Sequence, residues 1–281
     1  MQKFQLELLF HIIGIGSASG LFLNGNSLFI ISDNSHILYE YNMTEKSLEK
    51  ISLADPSYKG PLENVPKPDK ADYEAMAAKG DELYLFGSGS TDKRNAIAHI
   101  NFKTKEILPT IDATDLYMIM QEFGQIDAKN FNIEAAVNDG DIWYLFNRGN
   151  GPRGKNGIFT LEGDMDETTF QIIYNDIKLP KINGAASGFT DAVKVGEKIW
   201  FIAAAERSNS TYKDGEVAGT LIGRIDIESM EVEYAETISS KNKFEGITLY
   251  KENPTSLEFL LCEDTDSDAK ESGVYKLSVE K

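Results

Sequence analysis

Cysteine is almost absent from this chain of 281 residues: Cys262 stands alone, so no internal disulfide can form. Sitting in the apolar run Phe259-Leu260-Leu261-Cys262, it reads as a small buried hydrophobe and suits a reducing, cytoplasmic setting. Histidine is scarce too, and His11, His36 and His99 show no metal-ligand spacing. Basic residues are outnumbered: 28 Lys and Arg face 45 Asp and Glu, a formal net charge of -17. Such a surface repels phosphate backbones and anionic bilayers, which argues against nucleic-acid and membrane partners. No apolar stretch approaches bilayer-spanning length. The stretch Leu8 to Ile15 carries His11 and follows Glu7, and cleavage near Ala18 would discard a strand. It is therefore read as a strand and not as a signal peptide. A dinucleotide fingerprint and a nucleophile elbow are both missing, so the sequence names no catalytic class.

What is present is a repeat. A polar residue, a tiny one and an apolar one recur as Ser19-Gly20-Leu21, Glu74-Ala75-Met76, Glu134-Ala135-Ala136, Asp191-Ala192-Val193 and Glu245-Gly246-Ile247. Successive copies lie 55, 60, 57 and 54 residues apart, enough for one four-stranded sheet and a long connection. Each copy continues through turn chemistry, such as Asn24-Gly25-Asn26 or Lys79-Gly80-Asp81, into an aromatic and branched strand such as Ile142-Trp143-Tyr144-Leu145-Phe146. Third and fourth strands follow, except that the fifth copy has no fourth. The alternation of Phe4, Leu6, Leu8 and Phe10 predicts that the N-terminal segment supplies it and closes a ring. The expected fold is all-β, a five-bladed β-propeller in which residues 1–281 form one domain, acting as a monomer.

Loop lengths select one face. Short hairpins join first to second and third to fourth strands, so the long connections share a rim with the recurring acids. One long segment, Asp112 to Asn130, predicts a helix with Leu116, Ile119, Met120 and Phe123 on its apolar side. Glu74, Glu134, Asp191 and Glu245 then converge on an axis, where crowded carboxylates need a cation, protonation or donors. Three outcomes stay open: one divalent cation, calcium or magnesium; pairing with Arg94, Arg148 and Arg207, which follow the second strands; or hydrogen bonds from backbone N–H groups. Around these acids, Asp33, Glu206 and Glu263 join the arginines as candidate contacts for a small polar or anionic molecule. No organic cofactor is expected. Asp264-Thr265-Asp266-Ser267-Asp268 has the alternate acids of a calcium loop, but Ala269 and Tyr275 occupy the glycine and glutamate positions that loop needs.

Gly14-Ile15-Gly16-Ser17-Ala18-Ser19-Gly20, Leu85-Phe86-Gly87-Ser88-Gly89-Ser90, Asn147-Arg148-Gly149-Asn150-Gly151, Phe189-Thr190-Asp191-Ala192, Tyr212-Lys213-Asp214-Gly215-Glu216 and Phe244-Glu245-Gly246-Ile247 together resemble a bacterial β-propeller family of unknown function. The Glu-Gly pair of the last is distantly similar to the phytase esterase-like and SdiA-regulated propellers. That resemblance implies a propeller and hints at a cation. Three functions follow as expectations: a ligand-binding propeller with an acidic axial site; a metal-dependent hydrolase of an ester, lactone or phosphoester with Glu74, Glu134 or Glu245 as general base; and a protein-interaction scaffold on the long-loop face.

Overall fold

The structure is a computed structural model and describes residues 4–149, 154–165, 171–207, 215–265 and 270–281. Of the sequence features above, Asn150-Gly151, Tyr212 to Asp214 and Asp266 to Ala269 lie outside the described residues. Twenty strands form five antiparallel four-stranded sheets arranged as the blades of a propeller. Blade 1 holds β2 (Ala18–Asn24), β3 (Ser27–Ser32), β4 (Ile37–Asn42) and β5 (Ser47–Ser52). Blade 2 holds β6 (Tyr73–Lys79), β7 (Glu82–Gly87), β8 (Ala96–Asn101) and β9 (Glu106–Asp112). Blade 3 holds β10 (Ile133–Asp139), β11 (Ile142–Asn147), β12 (Gly157–Glu162) and β13 (Gln171–Asp176). Blade 4 holds β14 (Ser187–Val195), β15 (Lys198–Arg207), β16 (Glu216–Asp226) and β17 (Val232–Ser239).

Blade 5 is composite. Its strands run β18 (Lys243–Glu252), β19 (Ser256–Asp264), β20 (Glu271–Glu280) and then β1 (Phe4–Ile13), so the N-terminal strand closes the ring. Across that closure Leu23 N donates to Thr248 Oγ1 at 3.2 Å. Gly246 is required there: a Cβ on it would meet Cys262 Sγ at 2.5 Å and the Gly20 carbonyl carbon at 3.0 Å.

Why five sheets hold together follows from strand alternation, since successive side chains leave opposite faces. In β7, Leu83 and Leu85 pack toward blade 1, whereas Tyr84 and Phe86 pack toward blade 3 with Trp143. Five core clusters result, one between each pair of neighbouring blades. Hairpin turns supply tight first-to-second connections; Gly80 and Gly140 sit there at φ +62 and +69, a left-handed conformation costly for residues with a Cβ.

The helix α1 (Thr114–Gly124) forms where the spacing places it, but with a different buried face. Tyr117, Met120 and Gly124 turn inward, and the Tyr117 hydroxyl donates to the Gly87 carbonyl at 2.8 Å. Ile119 and Phe123 are exposed. Tyr117 and Met120 pack into the core between blades 2 and 3 with Leu116 against it, and that packing, with the hydroxyl's backbone acceptor, fixes the inward face.

Each innermost strand carries a β-bulge, and the bulges set which residues are equivalent. The extra residue is Ser19 in β2, Glu74 in β6, Glu134 in β10 and Glu245 in β18. In β14 it is Thr190, not Asp191. The fourth copy of the repeat is therefore shifted by one: Asp191 pairs with Ile202 as Ala75 pairs with Phe86, at the position held elsewhere by glycine or alanine. Three carboxylates, not four, occupy the bulge ring.

Candidate functional site

The long-loop face opens into a cavity of about 880 Å³ on the axis, lined by the bulge acids and by the connections between blades. Glu74, Glu134 and Glu245 line it, together with Asp33, Arg94, Arg148 and Glu206. α1 forms part of the wall through Thr114, Met118 and Gln121. Three sequence candidates lie elsewhere. Arg207 is exposed and pairs with Glu216 at 3.5 Å. Glu263 accepts from the Tyr275 hydroxyl at 2.8 Å and from Asn242 at 2.7 Å, off the cavity. Asp191 is buried below the mouth.

Asp191 follows the backbone outcome. Its carboxylate accepts from Ala192 N at 2.8 Å in its own strand and from Ile247 N at 2.7 Å in blade 5, and it also takes a backbone bond from Leu21 in blade 1. Burial raises its pKa well above the ordinary carboxylate value, while the three N–H groups pull the other way. The equivalent residues in blades 1 and 5 are Gly20 and Gly246, so no carboxylate stands at that position there. Beside it, Thr190 Oγ1 donates to the Phe244 carbonyl at 2.8 Å.

Two of the bulge acids follow the cationic outcome, though the cations are not all arginine. Arg148 Nη1 lies 3.4 Å from Glu134 and 3.6 Å from Glu245. Lys243 Nζ lies 3.1 Å from both Glu245 and Glu206 and 3.5 Å from Asp264. Burial disfavours charge on Glu245, but Lys243 and Arg148 outweigh it and hold the pKa below the usual glutamate value. Glu134 has only a share of Arg148 and an amide hydrogen bond from Asn132. Burial therefore wins, and its pKa is pushed up to about 7.

The third acid is different. Glu74 makes no hydrogen bond or ion pair among the described residues, yet it faces the cavity with Asp33 and Asp72 near it. Burial, then the charges of Asp72, Glu134 and Asp33, raise its pKa well above the usual value. Asp33, Asp72 and Glu74 each offer an oxygen, all within 4.8 Å of one another. Such oxygens could hold a hard cation. The Lys70 ammonium already sits at two of them, 2.5 Å from Asp33 and 2.6 Å from Asp72. Arg94 Nη1 holds the other Asp72 oxygen at 2.7 Å, and the Ser88 hydroxyl donates to it at 2.5 Å. Burial opposes charge on Lys70, but Asp72 and Asp33 prevail and keep it protonated.

Sequence reasoning missed Asp72, Asn132, Lys243 and Lys70. The first three stand two residues before a bulge acid, and alternate residues of a strand share a face, so that offset was a usable signal. Lys70 lies in the connection from blade 1 to blade 2, where no periodicity marks it. Asp264 lines the cavity in place of Glu263 for the same alternation reason: it pairs with Lys243, whereas Glu263 pairs with Phe244.

Residues 14–279 match the model of a family of unknown function, DUF6929, and the chain belongs to that family. No curated protein sequence matches the chain. Among solved structures, a luciferin-regenerating enzyme aligns with TM-score 0.50 at 10% identity, covering 98% of this chain and 95% of that one. A DUF4221 family member from Bacteroides vulgatus aligns with TM-score 0.45 at 9% identity over 99% of both chains. Hydrazine synthase of Kuenenia stuttgartiensis aligns with TM-score 0.44 at 14% identity over 90% of this chain, which spans only 56% of that longer one. The alignment with the luciferin-regenerating enzyme, at 10% identity, shows a shared fold alone.

Proposed function

We propose that the protein binds a small polar ligand at the mouth of its axial pore, with a positively charged group of that ligand, a divalent ion or an ammonium, held by Glu74. The observation that carries this reading is the contrast among the bulge acids. Glu134 and Glu245 form ion pairs with cations of the chain, whereas Glu74, in the same ring and the same cavity, makes no ion pair among the described residues and feels Lys70 only through space. A carboxylate crowded by Asp72, Glu134 and Asp33 is a site where an incoming cation relieves repulsion. The cavity is of a size that suits a small ligand. Anionic ligands fit less well, because Lys70, Arg148 and Lys243 each already lie between carboxylates.

The test is thermal unfolding of chelator-treated protein against calcium, magnesium, small ammonium compounds and small carboxylates, in wild type and Glu74→Gln. At least one cationic probe is expected to raise the wild-type midpoint saturably and to lose that effect in the variant. A response confined to anions would end the reading.

A second reading rests on Glu134. Its pKa of about 7 places it where a general acid or base works best, and it lines the cavity. On that reading the site hydrolyses an ester, lactone or phosphoester, and Glu134→Gln abolishes turnover on a substrate panel.

A further inference from the structure

We propose that the exposed face of α1, on the rim of the pore mouth, docks a basic amphipathic polypeptide segment. Apolar side chains of that partner lie on Met118, Ile119 and Phe123, and its lysines or arginines lie on Asp115 and Glu122. The docking surface stands independently of the ligand-binding reading above.

The first observation is apolar. Ten large hydrophobic side chains are exposed among the described residues, and three of them, Met118, Ile119 and Phe123, belong to this one helix of 11 residues. Met118 is 53% exposed and Phe123 58%. None of the three joins the core beneath the helix, where Tyr117 and Met120 are buried and Leu116 packs against them. Single exposed hydrophobics are ordinary on a protein surface, whereas three on one helix face form a patch of the kind that marks an interaction site. Met118 also lines the cavity, so the patch runs up to the pore mouth.

The second observation is charge. At about 3.6 residues per turn, Asp115, Met118, Ile119, Glu122 and Phe123 share a face. The two acids run down its middle, with Met118 on the cavity side and Ile119 and Phe123 on the other. α1 carries no Lys or Arg, and the exposed charges from residue 112 to residue 130 are Asp112, Asp115, Glu122 and Asp127 against Lys129 alone. Asp115 sits in the first turn, where the helix dipole favours an acid, but Glu122 sits in the last, where the dipole opposes one. Neither side chain makes a hydrogen bond or ion pair among the described residues. Helix stability therefore does not account for Glu122, and packing does not account for its apolar neighbours.

Together these features select the occupant. Exposed apolar side chains interleaved with unpaired acids complement a segment that presents apolar residues at helical spacing with Lys or Arg among them. A second copy of this chain would bring the same acids against themselves, and each molecule carries a net charge of -17. An anionic bilayer is repelled for the same reason. One short helix offers far less surface than an obligate interface, so the contact is a transient one.

The experiment is fluorescence anisotropy of a labelled leucine–lysine peptide, with its leucines at helical spacing, titrated with the full chain at physiological salt. The control peptides replace every lysine by glutamate or every leucine by serine. Saturable binding of the leucine–lysine peptide alone is expected. It should weaken about tenfold or more in the combined variant Met118→Gln, Ile119→Gln and Phe123→Gln, and measurably in Phe123→Gln by itself. Asp115→Asn with Glu122→Gln should weaken it several-fold and make it less sensitive to salt. All five positions are exposed, so the unfolding midpoints should stay close to that of the wild type. No saturable binding, or equal binding by wild type and the apolar variants, would overturn the proposal, the latter showing attraction to bulk charge only. So would self-association of the wild type that these variants abolish, which assigns the face to a second copy. Binding to phosphatidylserine vesicles that depends on the same residues would assign it to a membrane and likewise defeat the proposal.

Discussion

The Asp191 carboxylate of blade 4 accepts a 2.7 Å hydrogen bond from the backbone N–H of Ile247, an innermost-strand residue of blade 5. A second such bond comes from Leu21 of blade 1, so one side chain ties the inner strands of three blades. It is a structural acid, and its removal leaves buried N–H groups without an acceptor. Asp191→Ala is expected to cost about 3 kcal/mol or more, since each orphaned buried donor costs about 1–3 kcal/mol. Urea denaturation checks this, and ligand responses at the mouth should survive in whatever fraction folds.

Glu74→Gln should act in the opposite direction. Its carboxylate makes no ion pair among the described residues, and the like charges of Asp72, Glu134 and Asp33 around it outweigh the attraction of Lys70, so the neutral isostere removes a net repulsion. An increase in unfolding midpoint of a few degrees, the response expected of about 1 kcal/mol at this chain length, should accompany the loss of cation binding. A lower midpoint would show that Glu74 has a structural partner.

Lys70→Gln removes the ammonium from between Asp33 and Asp72. Breaking a buried pair in this way costs about 3–5 kcal/mol, because the remaining carboxylates are left facing one another. The vacated position is then one that a metal can fill, so calcium should stabilise this variant saturably and by more than it stabilises the wild type. A calcium response of the same size in both proteins would contradict the placement of Lys70 as a tethered cation.

Glu134 sets a pH dependence whose sign is fixed. Its pKa rises from 4.5 unfolded to about 7 folded, so the folded state holds the proton more tightly. The stability it contributes is complete below about pH 4.5 and is lost as pH rises through about 7. Every tenfold gain in proton affinity on folding corresponds to about 1.4 kcal/mol. Stability measured between pH 5 and pH 8 should therefore fall more steeply in wild type than in Glu134→Gln. Parallel curves would remove Glu134 as the titrating group.

Much of the architecture was legible because it repeats. Turn chemistry, a period close to one sheet and an alternating N-terminal segment were enough for five blades and for closure through β1. The site was legible only in part, and the errors are errors of one residue. A β-bulge adds a residue without adding a strand position, so Asp191 resembled the bulge acids while Thr190 held their place. Strand alternation put Asp264 in the cavity and Glu263 outside it. Lys70 could not be found by pattern, because a connecting loop has no period and only the folded ring brings it to Asp33, 37 residues away.

The most direct measurement is a calorimetric titration of calcium, magnesium and ethanolamine, each in turn, into chelator-stripped wild type and Glu74→Gln. Heat saturating at one equivalent in the wild type, with affinity weakened about tenfold or more in the variant, is the predicted result. Identical titrations in the two proteins, or no saturable heat from any of the three cations, would contradict it.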